Sequence, residues 1–365
     1  MNIRSLTSCL DGFLGRGRAA VTVPALDGAL KPNNDLEASQ GISIGQADNL
    51  LVIGTGLLLS SGRNLLRIQP GGAPEIIFTA DSDITAAAVS ASGLIALASA
   101  PDQLSFLTSE GRPATGLSSG SKSWVCVTAL AFSFDGSLAI SIGSSKNGIS
   151  DWQRDLLEGG CTGLVFRLDP STGTITRIAA GLSYPCGLVF DAAANLIVSE
   201  AWKNQLVRLG GPGQPHAAVL ADLPGYPARL SRTSRGGYWL SIFAPRSQLI
   251  EFVLREKGYR TAMMAEVDKA YWIAPSLMSG RSFHEPMQGG ALKQMGILKP
   301  WAPTRSYGLV VELNQEFVPL RSFHSRAGGR RHGITSAVER NGILYASSKG
   351  GDELVAVELA KKEAS

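Results

Sequence analysis

Cysteine is scarce, charge is sparse and long apolar runs are missing, and each shortage excludes something. The four cysteines, Cys9, Cys126, Cys161 and Cys186, form no C-x-x-C pair and have no histidine at zinc-ligand spacing. Neither a disulfide framework nor a zinc site is indicated. Free thiols fit a reducing compartment, with buried cysteine acting as a small apolar residue. No run of 18 uncharged apolar residues occurs, so no segment is expected to span a bilayer. Asp11 interrupts what would be the apolar core of a signal peptide, and the expected location is cytoplasmic. Charged residues make up only 18% of the 365-residue chain, and the net charge of +4 is dispersed. Neither a nucleic acid nor a membrane is an expected partner. Also missing are a G-x-G-x-x-G after a strand, a G-x-x-x-x-G-K-[ST], an H-E-x-x-H and a G-x-S-x-G. Nucleotide and zinc chemistry are unsupported, and no cofactor is expected.

What the chain does have is apolar content of 44%, too high for disorder, and 42 glycines. Many of these glycines punctuate a repeat, in which a tight turn is followed by a strand of apolar and small residues. The turns are Asp48-Asn49 before LLVIGTG, Ser92-Gly93 before LIALASA, Asp135-Gly136 before SLAISIG, Ala194-Asn195 before LIVSEA, Gly236-Gly237 before YWLSIFA and Asn341-Gly342 before ILYASSK. Each reads as a β-hairpin. Successive turns lie 44, 43, 59, 42 and 105 residues apart, and three of these spacings match one four-stranded blade. The pattern predicts an all-β, six-bladed β-propeller over residues 41–360, entered through an N-terminal segment, 1–40. The longest spacing predicts a partly helical insertion in blade 5, residues 251–303, with helical patterns at Leu249 to Met264 and Glu285 to Met295. Its place after the second strand puts it over the channel mouth as a lid, or on the rim as an elaboration.

Three segments carry a resemblance. Leu182 to Phe190 with Leu196 to Trp202, Leu223 to Pro227 with Gly237 to Leu240, and Ile334 to Tyr345 resemble successive blades of strictosidine-synthase-like propellers. The superfamily also holds senescence-marker-type gluconolactonases, paraoxonases and diisopropyl-fluorophosphatase-like hydrolases. The resemblance implies a small-molecule site on the propeller axis. In the metal-dependent members it also implies calcium, but the matching positions here are Gln40 or Gly41, Thr128, Cys186 and Ala228 or Arg229. None is a carboxylate, so no metal is expected. Plant strictosidine synthases use a glutamate where this chain has Thr335, and strictosidine formation itself is not expected.

The chemistry that is left centres on the channel mouth. Arg63, Lys146, Lys203, Arg246 and Lys349 follow the second strand of five blades, and Arg229 opens an inner strand. Such a set favours an anionic or carbonyl-bearing ligand, although exposed loop cations are also ordinary. Glu200 and His332 are the acid/base candidates. For Glu200 a salt bridge to Lys203 or Arg229 is an equal alternative, and for His332 a packed core role is. Cys186 opens an inner strand and could be a nucleophile or a small apolar plug. Tyr226 and Trp202 offer aromatic walls, and His284 and Trp272 belong to the lid. The functional expectation is a metal-independent propeller enzyme of hydrolase or lyase type. The alternative is a non-catalytic binding protein on the same scaffold.

Overall fold

Hairpin turns that need a left-handed residue fold the inner strands of several blades back on each other. Gly93, Gly136 and Gly236 have φ of 84°, 85° and 86°, a region that costs glycine little and other residues more. In the computed structural model, which describes residues 23–101, 103–211, 214–282, 285, 293–294, 297–298 and 304–359, these turns join the inner two strands in three of six antiparallel blade sheets. Blade 1 comprises Ala47–Ile53, Gly56–Ser61, Asn64–Ile68 and Glu75–Thr79, and blade 2 comprises Ile84–Val89, Ile95–Ser99 and Gln103–Leu107. Blade 3 runs Val127–Phe132, Leu138–Ile142, Gly163–Leu168 and Ile175–Leu182, and blade 4 runs Pro185–Phe190, Leu196–Glu200, Gln205–Arg208 and Ala217–Leu220. Blade 5 takes Gly225–Arg232, Tyr238–Pro245, Leu309–Leu313 and Pro319–His324. Blade 6 is closed from both ends of the chain: Ile334–Arg340, Ile343–Ser348 and Glu353–Glu358 are joined by Gln40–Ser43 as the outermost strand. The fold is a six-bladed β-propeller.

Blades pack face to face, so inner and middle strands are buried on both sides rather than alternating. Small residues fill the taper towards the axis, among them Ala86, Ala88, Ala96, Ala98 and Ala129. The entry segment is clasped by Arg331, which ion-pairs with Glu353 at 2.8 Å and donates to the carbonyls of Leu36 and Ser39. Helix α1 (Asp35–Ala38) sits in this clasp.

One turn differs from expectation. In blade 1 the hairpin lies at Gly54 and Thr55, because Ile53 pairs with Gly56, and Asp48-Asn49 lies inside the inner strand. Asn49 does have φ of 51°, so the turn-like dipeptide marks a kink in a strand. Gln40 and Gly41 are accordingly on the outer rim of blade 6, not on the axis.

Two segments between strands contribute to the axial cavity, through Trp152 and Leu277. From blade 3 comes helix α2 (Trp152–Glu158), whose seven residues are too few to show helical periodicity. From blade 5 come α3 (Gln248–Val253), capped by the Ser247 hydroxyl, and α4 (Lys257–Glu266). Lys293–Gln294, within the second expected helix, pair instead with Ile297–Leu298 as a short hairpin. No described helix is long and apolar enough to cross a membrane.

Candidate functional site on the propeller axis

Near the start of every inner strand the pairing slips by a residue. The slips fall between Asp48 and Leu51, Ile84 and Ala86, Val127 and Ala129, Pro185 and Gly187, Pro227 and Leu230, and Ile334 and Ser336. Such bulges re-aim side chains. Here they coincide with Thr85, Thr128, Cys186, Arg229 and Thr335, which line one axial cavity of 320 Å³ with Asp48.

Asp48 organises the polar wall. Arg229 Nη1 lies 2.5 Å from its Oδ1 and Lys349 Nζ 2.8 Å from its Oδ2. The Thr335 hydroxyl donates to Oδ1 at 2.7 Å and the Asn49 amide at 2.8 Å. Burial would raise the pKa of Asp48, but the charges of Arg229 and then Lys349 outweigh it. The carboxyl is held well below the usual carboxylate range. Arg229 also donates from Nη2 to the carbonyls of Thr85 at 2.9 Å and Thr128 at 3.3 Å. One side chain of blade 5 thus touches blades 1, 2 and 3.

The opposite wall is apolar. Tyr184 and Phe243 come from blades 4 and 5, Trp152 from the start of α2, and Leu277 from the blade 5 insertion. Trp202 stacks on Tyr184 with ring centroids 4.4 Å apart, and its indole donates to Asp155 at 2.8 Å. It supports the wall from behind, as does Tyr226, which packs on Phe243 at 5.9 Å.

The expected site residues divide cleanly. Arg229, Thr128, Cys186, Lys349 and Thr335 meet in the axial cavity. Glu200 does not line it. Its Oε1 accepts from the Ser183 amide and from Lys203, and its Oε2 from Gln205, so it anchors the loop before blade 4. His332 is buried outside the cavity, with Nδ1 2.6 Å from the Ser306 hydroxyl and Nε2 2.8 Å from the Arg326 carbonyl. Burial lowers its pKa, which leaves a neutral, doubly bonded ring. Arg246 turns away to Asp222 at 2.7 Å and Glu251 at 3.2 Å. Trp272 is buried, with its indole donating to the Val267 carbonyl, and packs beside Val253 and Met263 of the insertion and Leu157 of α2. His284 lies outside the described residues. The Cys186 thiol donates to the Pro227 carbonyl at 2.8 Å, and burial pushes its pKa up to about 11, a poor setting for a nucleophile.

Sequence reasoning missed Asp48, because its dipeptide resembled a turn. It also missed a ring of serines. Ser60, Ser141, Ser199, Ser241 and Ser347 are buried at matching places in the second strand of five blades, and blade 2 has Ala98 there. Several steady a bulge: Ser141 lies 2.9 Å from the Thr128 hydroxyl and Ser347 3.1 Å from the Thr335 hydroxyl within their own blades, and Ser199 of blade 4 donates to the Ala228 carbonyl of blade 5 at 2.7 Å. The repeated serine in SS, IS, VSE, LSI and ASS was the available signal.

No protein-family model matches the chain. Adipocyte plasma membrane-associated protein of Salmo salar is 25% identical over 221 residues, 58% of this chain and 47% of the relative. Strictosidine synthase-like protein 13 of Arabidopsis thaliana is 32% identical over 109 residues, 29% of this chain and 27% of the relative. The chain's homologues are strictosidine synthase-like proteins and adipocyte plasma membrane-associated proteins. It spans about half the length or less of these curated relatives. Among solved structures, a gluconolactonase from Xanthomonas campestris superposes with a TM-score of 0.53 at 14% identity, covering 89% of each chain. A second, putative gluconolactonase gives 0.52 at 13%, covering 89% of this chain and 94% of its own. These likenesses show the six-bladed fold alone.

Axial calcium, implied for metal-dependent propellers of this kind, does not fit the donor set. Asp48 has both oxygens engaged by cations, and the Arg229 guanidinium reaches across the channel where a metal would need anionic oxygen. Among the described residues no group of three or more His, Cys, Asp or Glu side chains could hold a metal ion.

Proposed function

We propose that the chain is a metal-independent, strictosidine synthase-like propeller enzyme acting on a small carbonyl-bearing organic molecule at the axis. The observation that carries this reading is the two-sided cavity of 320 Å³, with Arg229 and Lys349 on one wall and Trp152, Tyr184, Phe243 and Leu277 on the other. Such a shape suits an apolar body with one polar head. The Lys349 ammonium has three donors, of which Asp48 takes one. The others are available to polarise a carbonyl oxygen, the step shared by hydrolase and lyase chemistry on esters, lactones and ketones. The expected cytoplasmic location belongs to the same proposal, and cell fractionation tests it.

A second reading is favoured by the state of the axial groups. Asp48 is held ionised by two cations, Cys186 is a protonated donor, and no free base is evident among the described cavity residues. That state suits a binding protein without turnover. A panel of aryl esters, lactones and ketones, screened by thermal shift and by product formation with and without EDTA, separates the two. Turnover insensitive to chelation and abolished by Lys349→Met supports the enzyme. Saturable binding without turnover supports the binder, and no binding at all removes both.

A further inference from the structure

A second cavity adjoins the axial one. It encloses 740 Å³ between the blade 5 insertion and the loops of blades 6 and 1, and it shares Gln46, Trp152, Leu277 and Lys349 with the axial cavity. A ligand seated on the axis therefore has room to extend outward past Lys349.

Arg305 lines this outer chamber, with its side chain only 4% exposed. Its Nε donates to the Ala274 carbonyl and its Nη1 to the Ala270 carbonyl, both at 3.3 Å. Two neutral acceptors fix the guanidinium without neutralising it. Among the described residues, no acceptor bonds its Nη2. The nearest carboxylate, Glu285, lies 4.0 Å away, and its oxygens already accept the backbone amides of Gly280, Arg281 and Ser282. A cation so deeply buried with an unfilled donor edge calls for an anionic partner. Burial acts to lower its pKa, with Glu285 opposing, as expected for incomplete compensation. The same Glu285 charge sets the class of anion. A dianionic phosphate beside it would meet repulsion, whereas a carboxylate brings one charge and two planar acceptors that match the guanidinium edge.

We infer that the ligand of the axial cavity carries a carboxylate tail, which passes Gln46, Trp152 and Lys349 and docks on Arg305. The inference rests on the small-molecule reading above. Arg229 and Lys349 hold the carbonyl head, and Arg305 selects acids over neutral molecules of the same shape.

Aryl ketones with a terminal carboxylate, ω-benzoylalkanoates of increasing chain length, and their matched primary amides test this in the 365-residue protein by calorimetric titration. Beyond the length that reaches the chamber, each acid should bind about tenfold tighter than its amide, the equilibrium equivalent of one charge-assisted hydrogen bond. Arg305→Gln should erase that preference while amide affinity stays unchanged, which also reports that the fold and the axial cavity survive. Arg305→Lys should keep part of it, and decides the matter if the glutamine variant does not fold. Amides that bind as tightly as acids in the wild type overturn the carboxylate tail and leave the axial reading standing. Failure of every acid and amide to bind overturns both.

Discussion

Arg229 of blade 5 crosses the propeller channel to meet Asp48 of blade 1 at 2.5 Å. Lys349 and Thr335 of blade 6 reach the same carboxylate, and the Arg229 fork continues to carbonyls of blades 2 and 3. Five of the six blades are thereby tied at one carboxylate–guanidinium pair. Removing the carboxylate leaves two cations uncompensated, a loss that in buried pairs amounts to about 3–5 kcal/mol. Asp48→Ala should lower stability by that order in urea denaturation. The Asp48 pKa is depressed, so its contribution is full above the ordinary carboxylate pKa of about 4 and is lost as pH falls through the lower folded value. Acid titrations of wild type and Asp48→Asn should differ in that window. Identical acid profiles would deny the pair its role.

The serine ring offers a paired comparison. Ser199 donates to the Ala228 carbonyl, whereas the buried Ser241 hydroxyl has no partner among the described residues. Ser199→Ala should cost about 1 kcal/mol and Ser241→Ala nothing, or should stabilise slightly. Equal losses in chemical denaturation would refute the assigned bond.

Ala194 occupies the turn position that glycine holds in blades 2, 3 and 5, at φ of 62°. Asp191 compensates by accepting the amides of Ala193 and Asn195. Ala194→Gly relieves the left-handed strain, and a gain of about 1 kcal/mol is expected. A lower melting temperature would count against it.

His324 is fully buried between Tyr307 and Ser322, and burial brings its pKa down to about 4. Its unfolded pKa is about 6.5. Between these values the unfolded chain binds the extra proton, so stability falls as pH drops from about 6.5 towards 4, by up to about 3 kcal/mol. His324→Gln should flatten that slope in denaturant titrations at pH 7 and pH 5.

Glu200 supplies a test of role. With its oxygens bonded to Ser183, Lys203 and Gln205, Glu200→Gln should lower the melting temperature and change ligand affinity or turnover by less than about threefold. A large loss of turnover at unchanged melting temperature would restore an acid/base part for it.

Four of the six hairpins were legible because glycine or asparagine at a left-handed turn is a local requirement, readable without neighbours, and a fifth, in which Ala194 is the left-handed residue, through Asn195 beside it. Asp48-Asn49 misled for the same reason: a bulge and a turn ask for similar residues. The choice of Glu200 over Asp48 followed from that one shifted turn, since the axial carboxylate was counted into the wrong place. Thr128, Cys186 and Arg229 were legible as strand-opening positions and Thr335 through the family resemblance, and the structure brings them together. The expected ring of mouth cations was not, because Lys203 and Arg246 fold back onto Glu200, Asp222 and Glu251. Pairing of that kind depends on tertiary neighbours that a repeat position does not reveal.

The pairing of Gln40–Ser43 with Glu353–Glu358 also sets an order of events during synthesis. Blades 1 to 5 can each assemble from contiguous chain as they emerge from the ribosome, but blade 6 cannot be completed until Glu353–Glu358 is released. Until then the edge of Gln40–Ser43 and the flank of blade 1 lack their neighbours. The nascent protein is an open arc, and its period of exposure to aggregation ends only when the final strand arrives.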